Sequence, residues 1–243
     1  MKRYKITIEY DGTNYHGWQL QNNTKTVQGA IEKGLRELNS GKRIVLHGAG
    51  RTDSGVHALA QVAHFDLDSK LKPVTIKNAL NAKTPRDIII HKCQEVNPEF
   101  HSRFDAKKRY YFYKIYNGKT ALMRNYVWPV DFVLNREVLQ ECANMIIGSY
   151  DFRGFCLSSD EASHKICQIY KSTWKIRKKT LIYKICGNRF LHSMVRLLTG
   201  TMIEISRGRY ELNDFQNILK NRKNSSDPFK APARGLYLEK IEY

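Results

Sequence analysis

The apolar residues of this chain switch repeatedly between a period of two and a period of about 3.6, and that switching limits the folds open to it. Tyr4 to Tyr10 sets Ile6, Ile8 and Tyr10 among polar partners and ends in Asp11-Gly12, which predicts a strand running into a turn. Val27, Ile31, Gly34, Leu35 and Leu38 then recur at helical spacing. Ile44 to His47 and Gln61 to Leu67 read as further strands, and the polar, glycine-bearing segment Gly48 to Ala58 between them is expected to be a loop with its side chains available. Pro73 opens a second helix through Leu80, in a position where its missing N–H is harmless, and Asp87 leads into a strand from Ile88 to His91. The first half therefore reads β-α-β-β-α-β.

The second half starts on the strand Arg109 to Tyr116, whose alternation puts Tyr111, Tyr113 and Ile115 on one side. A helix is expected from Asn135, with Val138, Leu139, Cys142, Ala143, Ile146 and Ile147 on its buried stripe. Gln168 to Ile176 and Leu181 to Cys186 flank Arg177-Lys178-Lys179-Thr180 and read as a hairpin. A helix over Asn188 to Thr201 would carry Leu191, Val195, Leu198 and Met202 inward, which leaves His192, Arg196 and Thr199 on another face. A shorter helix from Asn213 to Leu219, a basic loop from Asn221 to Pro232 and a last strand from Leu236 to Tyr243 complete the reading. The two halves echo each other and predict two α+β subdomains, residues 1–104 and 105–243, with no low-complexity linker.

Charge narrows the partner. Lys and Arg number 41 against 23 Asp and Glu, a formal net charge of +18, and the cations run through the whole chain among 14 Tyr, 10 Phe and 3 Trp. Unpaired bases stack on aromatic faces while cations take the phosphates, so this interleaving favours RNA over a membrane surface. The five cysteines are widely spaced without a C-x-x-C pair, so neither a disulfide framework nor a zinc ribbon fits. His57, His64, His101, His164 and His192 do not fall at metal-ligand spacing beside a cysteine or carboxylate cluster, and no metal is expected. The start MKRYKITIEYDG lacks the apolar core of a secretory signal, and no run has the length of a membrane span, so a cytoplasmic protein is expected.

The densest chemistry lies in Gly48-Ala49-Gly50-Arg51-Thr52-Asp53-Ser54-Gly55-Val56-His57-Ala58, where three glycines bracket Arg51, Asp53 and His57. By residue type alone the segment stays ambiguous. A glycine-bracketed Asp is commonly a turn former, and Ser54 with His57 suggests a hydrolase pair, although the G-x-S-x-G elbow is missing. Trp18, next to a glycine, reads as core packing rather than as a base platform.

This segment resembles the active-site motif of the TruA-type tRNA pseudouridine synthases, which act in the anticodon arm. Further blocks follow in the family's order. They are Gly17-Trp18-Gln19-Leu20-Gln21, Gln61-Val62-Ala63-His64-Phe65, Phe100-His101-Ser102-Arg103-Phe104-Asp105-Ala106, Tyr111-Phe112-Tyr113, Asp151-Phe152, Phe190 to Arg196 and Ala231-Pro232-Ala233-Arg234-Gly235-Leu236. The resemblance spans essentially the whole chain. It departs at Ser54 where Ala is common, at Tyr150 where His is usual, at Lys165 in place of Arg, and through Asn81 to Pro85; none of these touches the matched Asp, Tyr or Arg.

The resemblance implies a pseudouridine synthase fold of α+β class, with two similar subdomains joined through a largely antiparallel central sheet, helices on one side and an active-site cleft between the halves. It implies Asp53 as the catalytic carboxylate, Arg196 as the charge that keeps it ionised, Tyr111 against the target base, and Arg51 as an RNA contact. It implies no cofactor, tRNA as partner through its anticodon stem-loop, and a homodimer. The competing readings are a tRNA-binding or RNA-chaperone protein that has kept the scaffold without turnover, and, more remotely, a metal-dependent nuclease or deaminase.

Overall fold

The computed structural model describes residues 1–157, 159, 164–221 and 227–243. The basic loop expected from Asn221 to Pro232 lies outside the described residues at 222–226. The strands are mostly antiparallel and are mixed with helices, an α+β fold. The chain forms two compact units, residues 1–107 with 237–243, and residues 108–236. Among the described residues, no helix is long and apolar enough to cross a membrane.

The first unit holds β1 (Lys2–Tyr10), α1 (Val27–Leu38), β2 (His47–Gly48), β3 (His57–Leu67), α2 (Pro73–Lys83) and β4 (Ile88–Val96). β1 is central, antiparallel to β3 on one edge and to β4 on the other, so Ile6 lies opposite both Ala63 and Cys93. Its period-two pattern buries Tyr4, Ile6, Ile8 and Tyr10, and each such side chain contributes about 1.5–3 kcal/mol on leaving water. The second edge of β3 takes β2 at His64 and Ala63 and the C-terminal strand β10 (Leu236–Glu242) at His57 and Ala58, the latter in parallel. Thr26 caps α1 by accepting from Gly29 N–H at 3.2 Å, and Asn81 of α2 pairs with both the N–H and C=O of Ile90 in β4.

The strand expected over Ile44 to His47 shrinks to His47–Gly48. The cause is local. Buried Glu32 accepts from Leu46 N–H at 3.1 Å and Gln28 Nε2 donates to Leu46 C=O at 3.1 Å, so α1 side chains take the backbone groups that a ladder would use.

The second unit holds β5 (Lys108–Asn117), β6 (Trp128–Val130), α3 (Arg136–Met145), β7 (Gly148–Asp151), β8 (Ile166–Arg177), β9 (Thr180–Gly187), α4 (Met194–Ser206) and α5 (Leu212–Leu219). The order β5-β9-β8-β7 is antiparallel throughout, with Tyr111 opposite Ile185, Tyr113 opposite Tyr183 and Ile115 opposite Leu181. The β8–β9 hairpin turns on Lys178-Lys179, Lys178 taking a φ of 53°. The short strands β6 and β7 carry too few residues for periodicity to show.

Two expectations about helices need correction. Ile147 lies past the end of α3 and is 44% exposed, whereas Leu139, Cys142, Ala143 and Ile146 are buried. The helix expected from Asn188 begins only at Met194, because Ser193 sits at a φ of 59° and Met194 N–H donates to Leu191 C=O in a turn. His192 is therefore outside α4, and Thr199 is buried with its hydroxyl donating to Val195 C=O, so neither shares an exposed helical face with Arg196.

Candidate active site

The loop 49–56 leaves β2 and enters β3 under tight constraint. Ala49 N–H donates to Val62 C=O and Gln61 Nε2 donates to Gly50 C=O, both at 2.8 Å. Beyond these anchors Arg51 is exposed, Thr52 buried and Asp53 half-buried. The expectation of a loop with available side chains over Gly48 to Ala58 needs correction: Ala49, Thr52 and Val56 are buried, and His57 and Ala58 belong to β3.

The loop is gripped from one side by residues 10–18. Tyr10 Oη lies 2.8 Å from Thr52 Oγ1, and Trp18 N–H donates to Thr52 C=O at 3.1 Å. Tyr15 C=O accepts from Gly55 N–H and from Ser54 Oγ, each at 3.2 Å. Gly17 adopts a φ of 85°, and a Cβ there would come within 2.4 Å of Thr52 O. These contacts fix the backbone on both sides of Asp53 while its side chain stays partly open to solvent.

His57 and Ser54 are accounted for by structure. The His57 ring is buried and stacks on Tyr237 with centroids 4.7 Å apart. Its Nδ1 accepts from Gly12 N–H at 3.1 Å and lies 3.1 Å from Asp11 Oδ1. Trp18 is buried beneath Gly48, where a Cβ would meet the indole at 2.4 Å, so it packs the loop.

In the second unit Tyr111 is buried in β5, edge-on to Phe190 with ring centroids 5.2 Å apart. Every residue of α4 is buried except Arg196, which is half-buried. Arg196 Nε donates to Ala231 C=O at 2.8 Å, and Ala231 N–H returns a bond to Arg196 C=O at 3.1 Å. Gly200 lets this strap approach, since a Cβ would lie 2.1 Å from Phe229 O. Tyr113, on the same face of β5 as Tyr111, donates to Pro232 C=O at 2.6 Å. Burial pushes the Tyr113 hydroxyl well above its ordinary pKa, with Arg196 and Arg234 pulling the other way. Arg51 and Asp53 thus share one loop of the first unit, while in the second Tyr113 and Arg196 hold the 229–235 strap and Tyr111 lies against Phe190.

Tyr10, Gly17 and Thr52 hold the Asp53 loop, a role that the sequence alone does not assign to them. The Gly17-Trp18 block was visible, but its partner lies 42 residues downstream of Tyr10, and periodicity carries no information on such a pairing. Among the described residues, no three His, Cys, Asp or Glu side chains are grouped so as to hold a metal ion.

The family described as tRNA pseudouridine synthase matches residues 6–105 and 142–243 of this chain. The chain is similar to tRNA pseudouridine synthase A of Acetivibrio thermocellus, with 40% identity over 100% of both chains. It is similar to the proteins of the same name from Geobacillus sp. strain WCH70, with 37% identity over 100% of this chain and 98% of the relative, and from Thermoanaerobacter sp. strain X514, with 38% identity over 100% of both.

Proposed function

The chain belongs to the tRNA pseudouridine synthase family, and on that footing we propose that it converts uridine to pseudouridine in the anticodon stem-loop of tRNA, with Asp53 as catalytic carboxylate. The observation that carries this reading is the half-buried Asp53 on a turn whose neighbour Thr52 is held through both side chain and carbonyl. The isomerisation breaks the N1–C1′ bond and forms a C5–C1′ bond, while C5 gives up a proton and N1 ends with one. Neither redox change nor net hydrolysis occurs, so the balance calls for no cofactor. It calls for an anionic group at the reacting nucleotide, which a carboxylate provides.

Arg196 is the cation assigned to keep that carboxylate ionised. Its brace on Ala231 supports the role, because a guanidinium fixed at Nε has its remaining N–H groups pre-set in direction. Tyr111 is assigned to lie against the uracil. Arg51, exposed on the Asp53 loop, is assigned to replace the stacking lost when the nucleotide leaves the helix, a step costing a few kcal/mol. The net charge of +18 fits a tRNA partner, and the family resemblance supports a homodimer in the cytoplasm.

The test uses unmodified tRNA carrying tritium at C5 of uridine. Release of tritium with retention of nucleotide mass is expected, as is its loss in Asp53→Asn. Unchanged turnover in that variant would remove Asp53 from its role, and salt-sensitive tRNA binding without any release would favour the non-catalytic binding protein. Sedimentation of the free protein as a monomer at assay concentration would overturn the dimer.

A further inference from the structure

Phe104 is 75% exposed, and it is not a loose side chain. Its ring lies against His101 with centroids 4.3 Å apart. His101 in turn meets the edge of His64 at 4.7 Å, and His64 stacks on His47 at 4.9 Å. The backbone beneath is equally fixed. Buried Ser102 donates its hydroxyl to His47 C=O at 2.6 Å and its N–H to His64 Nδ1 at 3.1 Å. Arg103 and Phe104 both donate N–H to His101 Nδ1, and Asp105 closes the turn onto His101 from either direction. A large aromatic ring is thus held in the solvent by a chain of ring contacts, stacked, edge-on and tilted, that begins in β2 and β3.

Burial and the charge of the neighbouring rings hold His64 down at a pKa of about 4, and burial lowers His101 as well. Both shifts favour the neutral imidazole, a flat aromatic ring. The Arg103 guanidinium lies over the Phe104 ring at 5.8 Å from its centroid, and the ring is still 75% exposed. An exposed aromatic face flanked by a cation is the combination on which unpaired nucleobases stack, because every base has a π-face and a phosphate close by.

The location narrows the occupant. The His47–His64 rung is followed by the Gly48–Ala63 rung and by Ala49 bonded to Val62, which leads into the Asp53 loop. From His47 to Gly50 is three residues, about 10 Å of extended chain. We infer that Phe104 is a stacking platform for an unpaired base of the RNA substrate, on the same stretch of strand as the nucleotide that enters at Asp53. The inference rests on the proposed tRNA function and deepens it by assigning a recognition residue outside the reacting groups.

The test compares Phe104→Ala, Phe104→Tyr and Phe104→Trp in the full chain with unmodified tRNA. Loss of one base stack is expected to raise the KM and the Kd for tRNA about tenfold in F104A, with kcat at saturation unchanged and with F104Y close to wild type. Trp18, Trp128 and Trp174 are buried, so the added indole of F104W is the exposed reporter, and tRNA is expected to quench it. Wild-type affinity and KM in F104A, with an unquenched F104W, would overturn the platform while leaving the isomerase reading intact. Weakened tRNA binding in F104A alongside a wild type that forms no pseudouridine would keep the platform and remove the isomerase. Loss of self-association in F104A with unchanged tRNA affinity would reassign Phe104 to a protein interface and also overturn the inference.

Discussion

Tyr10 Oη and Thr52 Oγ1 meet at 2.8 Å in a buried contact between the end of β1 and the residue preceding Asp53. The bond joins the central strand of the first unit to the loop that carries Asp53. Tyr10→Phe leaves Thr52 Oγ1 buried without that partner and is expected to cost about 1–2 kcal/mol in urea unfolding. Turnover at saturating tRNA should fall about tenfold with KM little changed, since misplacing a reacting group affects kcat first. Adding Thr52→Val should restore much of the stability, because both polar partners are then gone, and none of the turnover.

Gly17→Ala combines two penalties, a φ of 85° and a Cβ within 2.4 Å of Thr52 O. A loss of about 3 kcal/mol or more is expected from thermal unfolding, together with loss of activity. Gly41→Ala is the control: its φ is 83° with nothing within 4 Å of the added Cβ. It should show only the strain, about 1 kcal/mol, with activity retained.

Glu32→Ala tests the 44–46 segment. Buried Glu32 accepts from Gln28 Nε2 at 2.8 Å and from Leu46 N–H at 3.1 Å; both bonds are lost, and Gln28 Nε2 keeps only Leu46 C=O. The expected loss is about 2–3 kcal/mol, with faster hydrogen exchange at Leu46 than in wild type. Unchanged exchange at Leu46 would show that the segment is held by other means.

Stability should fall in mild acid through His64. Burial, then His47, His101 and Arg3, lower its pKa to about 4 from 6.5, while Asp66 pulls upward. The unfolded chain therefore takes up the proton first as pH falls. The His64 contribution is complete above pH 6.5, declines between 6.5 and about 4, and is gone below. Urea midpoints across that window should fall by the equivalent of about 1–3 kcal/mol in wild type and by less in His64→Gln.

What the sequence determined by itself is what short-range patterning encodes. The period-two run of β1, the helical stripe of α1, the Pro73 start of α2 and the β8–β9 hairpin all depend on neighbours within a few residues, and each stands where the pattern put it. The glycine-bracketed loop around Asp53 was legible for the same reason, and the ordered family blocks carried the family membership. Only the tertiary structure decided where non-local partners overrule pattern. Glu32 and Gln28 take Leu46 out of a strand, Ser193 delays α4 to Met194, and Tyr10, Gly17 and Trp18 close on the Asp53 loop. A buried hydrogen bond between residues 42 apart leaves no periodic trace, because its stability comes from the removal of water around both groups and not from any property of either residue's neighbours in the chain.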